Sequence, residues 1–226
     1  MIRLFQVSKH YGRQTALRNV SLDVRQGEMV IVSGPSGAGK STLIKLILCE
    51  ERVSQGQILV DRQNLRRLPN RRLPALRRKM GIVFQDFKLI PTRTVFQNVA
   101  LRLEIEGART NYIGKKVRYI LKRVGLEGRE QAYPLELSGG EQQRVAIARA
   151  IVGDPLIVLA DEPTGNLDKD LTQSVFNLLE EINLTGTTVI VATHNQEILQ
   201  DTDHRVIGLD QGQLVWERPT NGKAIA

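Results

Sequence analysis

Apolar and polar positions divide this chain into short strands and longer helices. Ile2 to Val7 and Leu17 to Val24 alternate with a period near two, punctuated by Gly12 and Gly27, which predicts antiparallel strands leading into a third strand at Met29 to Ser33. A glycine-rich loop follows, then an apolar helical period from Leu43 to Cys49. Gly56 to Asp61 and Gly81 to Phe84 have strand character again. From Gln85 to about Tyr133 the pattern is helical, with Val95, Val99 and Leu103 four residues apart and Val117, Ile120, Leu121 and Val124 on one face. Leu156 to Ala160 and Thr187 to Ala192 are apolar without alternation, as expected of parallel strands buried on both faces. Leu171 to Ile182 is an amphipathic helix, Val206 to Val215 a closing hairpin around Asp210-Gln211-Gly212, and Pro219 to Ala226 a loose tail. The expected fold is α/β, a mainly parallel sheet carrying an N-terminal antiparallel β subdomain and a helical insert. A single domain over 1–226 is expected, with its core in 1–85 and 154–226 and a helical subdomain over 86–153.

Composition narrows the partners. At 226 residues the chain is long enough to bury a sizeable core, and its formal charge of +8 suits an anionic partner: nucleotide, nucleic acid or the anionic face of a membrane. Eight basic residues and no acid fall between Arg62 and Lys79. Such a run is a solvated face, a contact for anionic lipid headgroups, or a contact for an acidic partner; nucleic acid is disfavoured because no aromatic residues interleave to stack on bases. The single cysteine, Cys49, excludes an intramolecular disulfide, and neither metal-ligand spacing nor a catalytic cysteine motif exists; a small core residue in the helix after the loop is its expected role. The first residues lack a secretory apolar region, and no apolar stretch reaches the ~20 residues needed to span a bilayer. The chain is expected to be cytoplasmic, with any membrane role supplied by a partner.

The chemistry begins at Gly34 to Ser41, Gly-Pro-Ser-Gly-Ala-Gly-Lys-Ser, which matches the phosphate-binding P-loop. Gly34, Gly37 and Gly39 allow a sharp turn that aims backbone N–H groups inward, Lys40 can reach β- and γ-phosphates, and the Ser41 hydroxyl can join a Mg²⁺ shell. A turn of purely structural meaning is the alternative. The strand before it and the helix after it, whose positive end faces the loop, favour phosphate.

Leu137 to Arg144 reads Leu-Ser-Gly-Gly-Glu-Gln-Gln-Arg. Ser138 and Glu141 form a capping-box pattern, and the two glycines after the cap leave bare N–H groups at a helix start, a second place for an anion. Asp161 and Glu162 end the apolar run from Leu156, where an open α/β sheet places its ligands. Two carboxylates there suit separate tasks, Asp161 on Mg²⁺ and Glu162 on the attacking water. His194 ends the next buried strand; a lone histidine is commonly structural, but beside a γ-phosphate it can sense that group. Tyr11 is ordinary packing or a base-stacking ring.

Taken in order, the loop at 34–41, Gln85, Leu-Ser-Gly-Gly-Glu-Gln at 137–142, Leu-Ile-Val-Leu-Ala-Asp-Glu at 156–162, Asn-Leu-Asp at 166–168 and His194 resemble the motif set of ABC ATPase subunits over nearly the whole chain. The resemblance implies a P-loop NTPase core that hydrolyses ATP to ADP and phosphate with Mg²⁺. It implies nucleotide contacts from Gly34, Pro35, Ser36, Gly37, Ala38, Gly39, Lys40, Ser41 and Thr42, with Tyr11 on adenine. Mg²⁺ would be held by Ser41, Gln85 and Asp161, and catalysis would use Glu162, His194 and Gln85. Ser138 and Gly140 would bind the γ-phosphate held by a second subunit, in a head-to-tail homodimer enclosing two ATP molecules, and Gly139 and Asp168 would join the nucleotide-binding set.

Within the family, Ala160 to Asp168 and Arg93 to Val99 look closest to the bacterial cell-division members, although lipoprotein-release and macrolide-efflux members share the first run. The cell-division branch implies an integral membrane partner of the FtsX type docked near 86–105, and a task of signalling to cell-wall hydrolases from the inner face of the membrane. An ATP-gated division scaffold is the competing reading. Soluble family members that act on DNA or ribosomes usually carry long coiled coils or two cassettes, and this chain has neither. Gln97, where relatives often carry an acid, and Cys49-Glu50, in place of the usual glycine, depart from the pattern.

Overall fold

The two apolar runs without alternation, together with the strand at Met29 to Ser33, become the middle of a six-stranded sheet in a computed structural model that describes residues 1–220. Its strands are β3 (Met29–Ser33), β6 (Met80–Val83), β7 (Ile157–Asp161), β8 (Thr188–Thr193), β9 (Arg205–Asp210) and β10 (Gln213–Arg218), in the order β10-β9-β3-β8-β7-β6. Neighbours from β9 to β6 are parallel, and β10 closes the edge as the antiparallel half of the expected hairpin. Residues 221–226 of the tail expected over 219–226 lie outside the described residues.

The lack of alternation has a direct cause, since both faces of the sheet are covered. On one face Val30, Val32, Leu159 and Ile190 share a core with α1 (Lys40–Ile47) and the second sheet. That sheet is antiparallel, in the order β2-β1-β4-β5, from β1 (Ile2–Tyr11), β2 (Gln14–Val24), β4 (Gln55–Val60) and β5 (Gln63–Asn64). On the other face Ile31, Val158, Val189 and Val191 pack with α3 (Val95–Ile105), α4 (Thr110–Arg123), α5 (Gly139–Ile151) and α6 (Lys169–Leu184). Each fully buried aliphatic side chain in these layers contributes roughly 1.5–3 kcal/mol. The short helices α2 (Leu73–Arg77) and α7 (Gln196–Asp201) complete the set.

Several boundaries move. The strand expected from Leu156 begins at Ile157, and Leu156 is 40% exposed, because the buried layer starts one residue later. Helix does not extend from Gln85: residues 84–94 form turns, with Phe87 and Lys88 both in the left-handed region at φ 57 and 48. Cys49 lies beyond the helix and not inside it; α1 ends at Ile47, and Cys49 adopts φ 55 in the turn that follows. That position favours glycine, so the departure from the usual residue falls where it costs backbone strain. Gln97 has a clear local job. It is the third helical residue of α3 and completes a capping box, accepting from the Thr94 N–H at 3.0 Å while its own N–H donates to the Thr94 hydroxyl at 3.2 Å. An acid there would do the same with added charge.

Candidate nucleotide site

Sheet register brings the candidate groups to one edge. Ser33 pairs with Thr193 across β3 and β8, and Asp161 with Ala192 across β7 and β8, so the loop after β3, the Asp161-Glu162 pair and His194 leave the carboxyl ends of three adjacent strands.

The loop from Gly34 to Gly39 is close-packed behind and open in front. A Cβ on Gly34 would lie 2.1 Å from the Leu209 carbonyl oxygen, and one on Gly39, at φ 108, 2.5 Å from that of Ala16. Only glycine lets the backbone pass so near β9 and β2. Pro35, Ser36 and Gly37 form the exposed tip, while Ala38 is buried and its carbonyl accepts from the Gly212 N–H at 3.0 Å. α1 starts at Lys40 with no acid in its first turn, so its N–H groups and dipole present positive potential at the loop. Thr42 is half-buried one residue beyond Ser41.

Lys40 is 6% exposed, and its ammonium donates to the carbonyls of Gly34 at 2.7 Å and Pro35 at 3.1 Å. It also stands 3.1 Å from Oε1 of Glu162, whose other oxygen is 2.9 Å from Nδ1 of His194. Ser41 Oγ donates to Asp161 Oδ1 at 3.0 Å. Burial pushes the Asp161 carboxyl up, opposed by the Ser41 hydrogen bond and reinforced by the neighbouring Glu162 charge. A hydroxyl and a carboxylate at this distance are hard oxygen donors, the chemistry that Mg²⁺ requires, so the donor set fits that ion. Glu162 is held at φ 47, with its N–H donating to the Ala192 carbonyl at 2.8 Å.

Gln85 opens the turn after β6, exposed, its carbonyl accepting from Asn166 Nδ2 at 3.2 Å and its side chain filling the space beside Gly165. It thereby touches the loop that follows Glu162. Asp168 caps α6 by accepting from the Leu171 N–H at 2.9 Å. Ser138 caps α5 in a full capping box with Glu141, and Gly139 and Gly140 lie against Leu167 and Leu171 of the Asp168 segment. Hydrogen bonding from Ser138 holds the Glu141 carboxyl below the ordinary carboxylate range. Among the described residues no hydrogen bond or ion pair joins Ser138, Gly139 or Gly140 to Lys40, Ser41, Asp161 or Glu162. Tyr11 ends β1 with 40% of its surface exposed and the Lys9 ammonium 4.7 Å from its ring centre.

Sequence reasoning missed two residues that set the path behind Gln85. Asn98, fully buried in α3, donates to the Ile90, Arg93 and Thr94 carbonyls and accepts from the Ile90 N–H. Arg149 of α5 donates to the carbonyls of Lys88 at 2.6 Å and Phe87 at 2.7 Å, which fixes the two left-handed residues. A polar residue interrupting an apolar helical face was the signal available for Asn98.

Residues 17–165 match the family model described as ABC transporter. The chain is 50% identical over 216 residues to the cell division ATP-binding protein FtsE of Bacillus subtilis (strain 168), covering 95% of each. It is 47% identical over 215 residues to the protein of the same name from Escherichia coli (strain K12), covering 95% of this chain and 97% of that one. Among solved structures it is similar to the dimeric structure of MJ0796, a bacterial ABC transporter cassette, with TM-score 0.90, 38% identity and coverage of 99% of this chain and 100% of that chain. A post-hydrolysis dimer of the same cassette bound to ADP and Pi gives TM-score 0.89 and 37% identity, with the same coverage.

Proposed function

The chain belongs to the ABC transporter family, as an ATPase of that type, and from that premise we propose that it is the ATP-hydrolysing subunit of a membrane-associated complex acting in bacterial cell division. The observation that carries the catalytic part is the convergence of Lys40, Ser41, Asp161, Glu162 and His194 at the ends of neighbouring strands. The loop from Gly34 to Thr42 takes the phosphates on its N–H groups, and the Lys40 ammonium turns from the Gly34 and Pro35 carbonyls to the β- and γ-phosphate oxygens. Ser41 and Asp161, with Gln85, would hold Mg²⁺, which when bound would supply positive charge beside the phosphates. Glu162, oriented by His194, accepts a hydrogen bond from the attacking water. The water oxygen bonds to the γ-phosphorus as the bond to the bridging oxygen breaks, giving ADP and phosphate. Tyr11 stacks on the adenine.

Ser138, Gly139, Gly140 and Asp168 act in this reading on the nucleotide of a second copy, in an ATP-dependent head-to-tail homodimer; likeness to a dimeric cassette supports it. Residues 86–153 are the helical subdomain, and 1–85 with 154–226 the core. An FtsX-like integral membrane partner docks near 86–105, which holds the protein at the inner face of the membrane. Identity of 47–50% to proteins named FtsE supports the cell-division assignment. A cavity of about 520 Å³ between α2, β6, α3 and α5 supports the docking site, since Leu101 and Ile105 line it and Ile105 is 68% exposed. Arg77 and Arg78, from the basic run 62–79, line it; Lys79 pairs with Asp61 of this chain, and the exposed arginines of the run are left to face acidic segments of the partner, anionic headgroups or solvent. No helix among the described residues is long and apolar enough to cross a membrane.

The test is purification of the chain with its native partner from solubilised membranes. An integral membrane protein should co-purify, with ATP hydrolysis that Glu162→Gln reduces to a residual trace and a block in division when that variant replaces the parent. Normal division with a hydrolysis-deficient protein would refute the reading.

A further inference from the structure

Gln143 is fully buried within α5, and its side-chain amide joins two elements. Its Nε2 donates to the Pro163 carbonyl oxygen at 2.6 Å, while Oε1 has no hydrogen-bond partner. Burying an amide with one half unsatisfied is unfavourable, and an apolar side chain of similar volume would avoid that penalty. Packing alone therefore does not account for a glutamine at this position.

Pro163 follows Glu162, whose φ of 47 puts it in the left-handed region. A residue with a side chain disfavours that region, and a residue that precedes proline is restricted further. Such a backbone persists only where its surroundings hold it. Upstream, the Glu162 N–H is fixed to the Ala192 carbonyl at 2.8 Å. Downstream, the Glu162 carbonyl accepts from the Gly165 N–H at 3.2 Å within the local turn, and proline has no N–H to offer, so the Pro163 carbonyl is the point at which another element holds this backbone, and Gln143 is the group that grips it. The carboxylate aimed at Lys40 and His194 is thus braced on both sides of its own backbone. The brace comes from the helix that Ser138 caps, little more than one turn further along.

We propose that Gln143 is a positioning residue for Glu162: its amide ties the Pro163 carbonyl, and through it the left-handed Glu162 backbone, to helix α5. The inference rests on Glu162 being the group that orients the attacking water.

A double-mutant cycle on the full chain tests it, with ATP hydrolysis and ATP binding measured for every variant. Gln143→Leu keeps a buried side chain of comparable bulk, one atom shorter, and removes both the donor and the unpartnered acceptor. Its kcat should fall by about ten- to a hundredfold, the scale of a 1 Å displacement at a reacting centre, with KM for ATP changed by no more than about twofold. In a Glu162→Gln background the same change should leave the residual turnover unaltered, because the brace acts only through Glu162. An unchanged kcat for Gln143→Leu, or the same fold loss in both backgrounds, overturns the proposal. Full activity of Glu162→Gln overturns instead the role of Glu162 on which it rests. Should the leucine variant not fold, Gln143→Glu answers in its place. A protonated carboxyl can donate to the Pro163 oxygen and an ionised one cannot, so its activity relative to the parent should rise as pH is lowered. A ratio independent of pH counts against the brace.

Discussion

The ammonium of Lys40 stands 3.1 Å from Oε1 of Glu162, with the two side chains only 6% and 12% exposed. The residue assigned to holding phosphate and the one assigned to turnover are therefore partners in one nearly buried ion pair. Removing one member of such a pair strands the other, at a cost of roughly 3 kcal/mol or more. Lys40→Ala should weaken ATP binding and also lower the melting temperature, whereas Glu162→Gln keeps a polar group of the same shape, binds ATP and turns it over only at a residual rate. Titration with a fluorescent ATP analogue separates the two, and equal loss of affinity in both would refute the assignment.

His194 touches the same carboxylate twice. Its Nδ1 lies 2.9 Å and its backbone N–H 3.3 Å from Oε2 of Glu162. His194→Ala removes the side-chain contact and leaves the backbone one, so the carboxylate keeps its place but loses its orientation. The expected result is a fall in kcat of about a hundredfold or more with a small change in KM, in the range of a lost proton-handling group. A proportional rise in KM at constant kcat would mean that His194 serves binding only.

How much of this was legible beforehand follows from where each signal resides. The motifs carry their chemistry in residue types at fixed short spacing, so Lys40, Ser41, Asp161 and Glu162 could be named together, and the runs Leu156 to Ala160 and Thr187 to Ala192 told of a sheet covered on both faces. The pairing of Ser33 with Thr193 that aligns these groups depends on β8 lying between β3 and β7, a long-range relation with no local trace. The turns over 84–94 were read as helix for a similar reason. They are imposed by Asn98 and Arg149, which satisfy carbonyls that no helix satisfies, and Arg149 lies 61 residues from Lys88 in the chain. Gln143 looked like one more polar residue of a helix start, and only the carbonyl of Pro163 gives it meaning.

Dimerisation should depend on the triphosphate. Ser138 and Gly140 sit at a capped helix start among whose hydrogen bonds none runs to the loop of its own chain, among the described residues, so a nucleotide bridging two copies would favour the dimer by mass action. Light scattering on Glu162→Gln should give a monomer alone or with ADP, and a dimer with ATP and Mg²⁺. A monomer throughout, at concentrations where ATP is bound, would count against a shared site.

The cap at that helix start has a pH limit of predictable sign. Backbone and side-chain hydrogen bonding from Ser138 lowers the Glu141 pKa from its ordinary 4.5, so the folded state favours the ionised form. Its contribution is fully present above 4.5 and is lost as the pH falls through the lowered value. Amide exchange at Gly139 to Gln142 should speed up over that acid window beyond the intrinsic trend. In Glu141→Gln, which retains a capping side chain without a charge, the extra acceleration should vanish. Its persistence would assign the effect to another carboxylate.

The proposed docking surface can be probed without disturbing the site. Leu89 and Ile90, the apolar tip after Gln85, are half-buried; Leu89 packs on the core, and the Ile90 backbone is tied on both sides to Asn98. A polar change there would disturb the fold as well as a partner. Ile105 is the better probe, since it is 68% exposed at the end of α3 and lines the cavity between α2, β6, α3 and α5. Arg149 lines the same cavity and holds the Phe87 and Lys88 carbonyls, so a helix seated in it would press on the segment that leads back to Gln85. A rigid-body coupling of this kind links two sites through one braced element. Ile105→Glu should leave the isolated protein's ATPase rate and melting temperature nearly unchanged, because an exposed side chain contributes little to either. It should weaken co-purification of the membrane partner by tenfold or more, about 1.4 kcal/mol, and impair division. A variant that hydrolyses ATP normally and retains its partner in full would remove this cavity as the point of contact.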